Sequence, residues 1–218
     1  MAFLEVEVAV SEQSTNHRHA GVVPDSFTVF RALLDRIDDA ETGLVHEDLQ
    51  NPIPDWKVKE AEALAADKGR ELCDKYNMLE GVQLMYHHDV ANLYLNNTWR
   101  ANLSITGADG LPKPENATSD IRPSTTLKLS CRLSPIFDGE KAIEIISNKL
   151  TENPPFNAKV KVVHSGSGNG WCMKVLEKWL SDSIQGASQA FYDKPAGSYG
   201  DGGSIPFLME LGNKYPET

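Results

Sequence analysis

Residues 124–135, STTLKLSCRLSP, place Leu127, Leu129, Cys131 and Leu133 at every second position, with Lys128, Ser130 and Arg132 between them. Successive side chains of an extended chain point to opposite faces, so the pattern predicts a strand with one face in a core and the other in water. It also specifies register, because a slip of one residue turns the whole apolar set outward. The opening segment repeats the pattern, with Leu4, Val6 and Val8 alternating against Phe3, Glu5 and Glu7. WRANLSITGADG at 99–110 and AKVKVVHS at 158–165 read as two more strands. A chain that opens directly inside a strand implies a preceding element.

Between these strands the spacing turns helical. Phe27, Phe30, Leu33, Leu34 and Ile37 line one face of SFTVFRALLDRIDD, with Asp25 or Ser26 as the cap. An Ala, Glu and Lys-rich stretch predicts a helix from Trp56 to Tyr76 capped by Asp55, and a short one follows around Asp89 to Leu95. Asp138 caps a helix through EKAIEIISNKL. The order of elements predicts an α+β fold, one antiparallel sheet of about four strands covered by helices. After it, Val175, Leu176, Trp179, Leu180 and Ile184 mark one helix face, and a second helix is expected from Ser204 to Gly212. Two helices without a strand between them cannot close a core, so a boundary is expected between 165 and 166, dividing the chain into 1–165 and 166–218.

The 218 residues are 40% apolar and 24% charged, enough for an ordinary core, and the net charge is -10. So acidic a chain is poorly suited to nucleic acid or anionic membranes, which need a surplus of Lys and Arg. No apolar run approaches a membrane span, and the start is too acidic for a signal peptide. Cys73, Cys131 and Cys172 are odd in number and far apart, which suits reduced thiols in the cytoplasm. Asn-x-Ser/Thr triplets at Asn96, Asn102 and Asn116 are common by chance in such Asn-rich sequence.

Four segments carry possible chemistry. His87-His88-Asp89 contains an H-x-D triplet, but zinc needs three or four convergent ligands and no second acidic cluster follows. His164 and Ser165 are adjacent on a strand and point apart. Asn16-His17-Arg18-His19 lies in a turn, where an imidazole can reach a cleft and stabilise charge developing on a carbonyl oxygen. Gly200-Asp201-Gly202-Gly203-Ser204-Ile205-Pro206 leads into a helix. Its glycines allow close backbone approach, Ser204 can cap and donate, and the helix N-terminus favours an anion such as a carboxylate.

GDGGSIPFLMEL at 200–211 resembles the EGGSIP element of the M20 metallopeptidases, in the branch of cytosolic nonspecific dipeptidase and carnosine dipeptidase. GVVPDSFTVFRALLDRIDDAETG, LNNTWRANLSITGADGLP, IRPSTTLKLSCRLSP with its S-x-R-L-x-P ending, PPFNAKVKV and the pair GW follow in that family's order and cover nearly the whole chain. The resemblance implies a lid and dimerisation domain followed by helices of an incomplete α/β catalytic domain. It implies a parent hydrolase that cleaves dipeptides or short peptides with two zinc or manganese ions, held by residues outside this stretch, so no metal is expected on this chain. It implies a homodimer through the lid, each lid lending a histidine to the neighbouring site.

By the same resemblance Arg132 binds the substrate carboxylate, and Asp201, Gly202, Gly203 and Ser204 form the loop that receives the substrate's C-terminal end. His17 is the best match to the lid histidine, with His19 or no histidine at all as the alternatives, since relatives usually show His-Ser-Gly where this chain has Asn-His-Arg-His. Asp201 stands where Glu is usual, and Ala117-Thr118-Ser119 where many relatives have Ala-Gly-Asn. A second reading is a non-catalytic dimerisation or binding module from a truncated or diverged paralogue.

Overall fold

The computed structural model describes residues 1–69, 71, 74–85, 88–200 and 206–216. The elements run β1 (Ala2–Ala9), β2 (Thr15–Asn16), α1 (Ser26–Leu34), α2 (Asp55–Lys68), α3 (Val90–Thr98), β3 (Asn102–Asp109), β4 (Asp120–Ile121), β5 (Ser124–Arg132), α4 (Gly139–Thr151), β6 (Lys159–Ser167), α5 (Lys178–Tyr192) and α6 (Pro206–Lys214). Four strands form one sheet in the order β3-β5-β1-β6, and β2 pairs with β4 in a two-stranded ribbon. All of these pairings are antiparallel. The architecture is α+β, and each of the four strands read from the alternation is present.

The alternation does what it implies. Ala2, Leu4, Val6 and Val8 of β1 and Thr125, Leu127, Leu129 and Cys131 of β5 are buried. Phe30 and Leu33 of α1 and Ala142, Ile146 and Leu150 of α4 close the core over them. A buried polar pair beside it is satisfied, Ser26 Oγ lying 2.8 Å from Thr125 Oγ1. On the other face Glu5 stands opposite Lys128 and His164, and Glu7 opposite Lys161, so opposite charges meet across strands. Both outer strands carry an irregularity: Val163 of β6 and Thr106 of β3 fall between paired residues as bulges.

Three helices are capped by aspartates. Asp25 accepts from the Thr28 amide, Asp89 from Asn92 and Asp138 from Lys141. Three expectations need correction. Asp55 is the first helical residue of α2, Pro54 holds the cap position, and no side chain caps it. The helix also stops at Lys68 rather than Tyr76, because Gly69 turns left-handed at φ 52 and releases the chain. Likewise α1 ends at Leu34, although Ile37 beyond it stays in the core.

Leu129→Ala should cost about 2–5 kcal/mol, since it empties a fully buried core position on a strand paired on both sides; urea denaturation measures it. Asp89→Ala should cost about 1 kcal/mol as a lost cap. The Asn92 amide and side chain hold the Asp89 carboxyl below its ordinary value. A depressed folded value makes this contribution complete above the unfolded carboxylate pKa and removes it as pH falls through the folded one. The gap between wild type and Asp89→Ala in urea midpoint should therefore shrink on acidification below the usual carboxylate range.

Candidate functional site

Three separate stretches meet at the end of the sheet where β1 begins and β5 finishes. The first is the end of α3, Asn97 to Trp99. The second is Arg132 to Pro135. The third comes from the tail: Gly170 to Met173, Ser198 to Gly200 and Leu208. They approach closely. A Cβ on Gly170 would lie 2.7 Å from the Pro135 Cα, and one on Gly200 would lie 3.2 Å from Thr98 Cγ2. Two cavities open at this seam, of about 250 and 260 Å³, and Arg132 and Tyr199 line both. The first is walled by Trp99, Ser134, Trp171, Met173 and Leu208 among others, and the second by Tyr76, Met85, Asn96, Asn97 and Asn102 among others.

Arg132 is half-buried at the last position of β5. Its Nη1 donates to the Asn97 carbonyl at 2.6 Å and more weakly to Asn97 Oδ1 at 3.4 Å. Among the described residues no carboxylate pairs with it. A held guanidinium with donors to spare is suited to a planar anion. The described lining of the 250 Å³ cavity adds Lys57 and contains no Asp or Glu, although the whole chain carries a net charge of -10. Cys172 also lines it, with its thiol raised by burial, and burial pushes the Cys131 thiol up to about 12. Neither thiol is a thiolate nucleophile at neutral pH.

His17 lies elsewhere. It begins a short 3-10 turn after β2 and is exposed, and its amide donates to the Ser119 carbonyl at 2.9 Å. His19 Nε2 accepts from Arg18 Nε at 3.1 Å, whereas the ring of His17 makes no hydrogen bond among the described residues. The turn follows β1 past Ala9, which pairs with Ser124, while Arg132 sits at the far end of β5, one residue past the Ala2–Cys131 pair. Arg132 lies eight residue steps beyond Ser124 along β5, roughly 27 Å of extended chain. Within one chain His17 and Arg132 cannot serve the same small ligand.

The other sequence candidates sort as follows. Asp201, Gly202, Gly203 and Ser204 lie outside the described residues, between Gly200 in the cavity wall and the start of α6. His87 and Cys73 also lie outside them. Asp89 spends its carboxylate on capping α3. His164 stands opposite Glu5 and Ser165 opposite Leu4, on alternate faces of β6. Among the described residues there is no group of three or more His, Cys, Asp or Glu side chains able to hold a metal, so a dinuclear zinc centre does not fit the donors seen here. None of Trp99, Tyr199 and Lys57 was read as a site residue from sequence; Trp99 entered only within the family-like Thr-Trp-Arg string at 98–100, and the convergence of all three with Arg132 is tertiary.

No protein-family model matches this sequence, and no curated protein does. Solved structures do match. The dipeptidase Dug1p from Saccharomyces cerevisiae is similar with a TM-score of 0.64 at 16% identity, over 97% of this chain and 44% of that one. Human carnosine dipeptidase 1 gives 0.61 at 17% identity, over 97% and 45%. The M20 family metallo-carboxypeptidase Sso-CP2 from Sulfolobus solfataricus gives 0.66 at 14% identity, over 97% and 55%. The chain thus spans about half the length of the structures it matches. At such identities the likeness is one of fold, and it takes in the sheet, its helices and the tail together. What this chain carries is a partial M20-like fold.

Proposed function

We propose that residues 1–165 form the lid and dimerisation domain, and 166–218 a catalytic-domain segment, of a zinc-dependent M20-type peptidase that hydrolyses dipeptides or short peptides in the cytoplasm. The observation that carries the reading is Arg132: a strand-held guanidinium, without a carboxylate partner among the described residues, lining two cavities where lid and tail meet. In this reading Arg132 takes the substrate's terminal carboxylate, and Asp201, Gly202, Gly203 and Ser204, entered from Gly200, hold the same end. The metal pair is supplied by residues other than those described, and no step through it is assigned to this chain.

The separation of His17 from Arg132 supports the homodimer. A two-fold axis across an edge strand reverses direction, so the His17 end of one lid comes beside the Arg132 end of its partner. His17 of one protomer then polarises the scissile carbonyl of a ligand whose carboxylate the partner holds. Nothing in the chain favours nucleic acid or membrane: the charge is wrong for the first, and among the described residues no helix is long and apolar enough to cross a bilayer.

Light scattering should give twice the 24.0 kDa chain mass across micromolar dilution. Trp179→Asp, placed on the exposed tail helix, should leave that dimer intact; a monomer in either case refutes the lid dimer. Isothermal titration should show glycyl-leucine binding that weakens at least about tenfold in Arg132→Gln, as expected for a lost charged hydrogen bond. Unchanged binding removes the peptidase reading and leaves the dimerisation module. The purified chain alone should hold no stoichiometric zinc pair by elemental analysis and should turn over no dipeptide; activity on addition of zinc would show that the ligands lie within it.

A further inference from the structure

The register of the sheet sets a second polar side chain beside Arg132. Asn102, the first residue of β3, is its direct partner across the β3–β5 ladder. Residues directly opposite share a face, with Cβ atoms about 5 Å apart, so the Asn102 amide stands next to the guanidinium. Both line the cavity of about 260 Å³, together with Asn97, Tyr76 and Tyr199. The amide is not spent on the fold. Among the described residues its Oδ1 accepts only from Ser104 Oγ, at 3.5 Å, and its Nδ2 has no partner. Nor is it walled off. Among the described residues that are not exposed, the unpartnered side-chain polar atoms sealed from water are Asn51 Oδ1 and Trp99 Nε1. Asn102 Nδ2 is therefore open to solvent, as are Nε and Nη2 of Arg132, which make no hydrogen bond among the described residues. Arg132 is also the one charged side chain in the described lining of this cavity.

We propose that Asn102 reads the side chain of the ligand's last residue and selects one that is neutral and hydrogen-bonding, such as glutamine, against a cationic one. The inference rests on the peptide-binding reading of Arg132 and adds a specificity-determining residue to it. In that reading the terminal carboxylate is shared by Arg132 and the 201–204 loop, which is entered from Gly200 in the wall of the 250 Å³ cavity. The side chain of the same ligand residue branches from the carbon that bears the carboxylate. It turns into the other chamber, where Asn102 stands. A carboxamide there donates to Asn102 Oδ1 and accepts from Nδ2, the reciprocal pairing open to two amides. A lysine side chain meets a fixed guanidinium and no described carboxylate, so like charges are brought together. A leucine finds Leu84, Met85 and Leu93 but leaves the Asn102 amide without a partner once water is displaced.

The test is isothermal titration of the full chain with glycyl-glutamine, glycyl-leucine and glycyl-lysine. Glycyl-glutamine should bind about fivefold more tightly than glycyl-leucine, as one net hydrogen bond provides, and glycyl-lysine should bind weakest. Asn102→Leu keeps the branching of the side chain and removes its amide. It should erase the preference for glutamine over leucine while glycyl-leucine affinity stays within about twofold. Asn102→Asp keeps the shape and adds a negative charge. It should raise glycyl-lysine relative to glycyl-glutamine by at least about fivefold. That ratio decides the matter even where Asn102→Leu folds poorly, or where the new carboxylate weakens all three ligands by pairing with Arg132. Arg132-dependent binding with no preference for glutamine overturns this inference and leaves the peptide reading standing. So does a preference that survives Asn102→Leu, an equal loss of all three ligands in that variant, or an unmoved lysine-to-glutamine ratio in Asn102→Asp. Absence of binding, or binding indifferent to Arg132→Gln, overturns both.

Discussion

Everything at the seam depends on the two-sided pairing of β5. That strand is hydrogen-bonded to β1 along one edge and β3 along the other, and its inward residues Leu127, Leu129 and Cys131 are locked into the core. The ladder sets Cys131 opposite Ala2 and Arg132 opposite Asn102. The guanidinium therefore stands on a rigid element rather than a loop, which favours a well-defined binding geometry. The same period of two that buries the leucines turns Arg132 away from them. A slip of one residue would bury the charge and expose the core, so folding and ligand recognition are specified by one pattern.

The strands were legible for that reason: alternation is a local signal and needs no knowledge of what lies across the sheet. Asp25 and Asp138 were legible as caps because each precedes an apolar-periodic run. The end of α2 was not, since the composition continues in a helical vein to Tyr76 while a single left-handed glycine at 69 decides the stop. α5 likewise begins at Lys178, later than the apolar face suggested. Arg132 and the Gly-Gly-Ser string were found through resemblance, not periodicity. Trp99, Tyr199 and Lys57 escaped because nothing local links them: the cavity they share is assembled from stretches of about position 57, 98 to 99, 132 to 135 and 170 to 208. The opposition of His17 and Arg132 was equally hidden, since it follows from strand order and register.

The tail sits differently in the molecule from the sheet. Trp171, Met173 and Leu208 meet the cavity, yet Trp179, Phe191 and Tyr192 of α5 are 68%, 83% and 77% exposed. Large apolar side chains in such numbers on one helix are unusual for a free surface. The likeness in fold takes in this helix together with the sheet, and the chain spans about half the length of those structures.

The bulges at Val163 and Thr106 bear on how far such a sheet can grow. A sheet with two open edges has two places to add strands, and if both accepted a neighbour, copies would join edge to edge without end. Each edge here is interrupted part-way along, so an incoming strand finds only a short regular stretch before the ladder breaks. Closure across one edge by a two-fold axis would satisfy that stretch once and leave two interrupted outer edges facing water. The same single unpaired residues that bend the strands thus shorten the regular ladder that either edge offers, which disfavours open edge-to-edge growth.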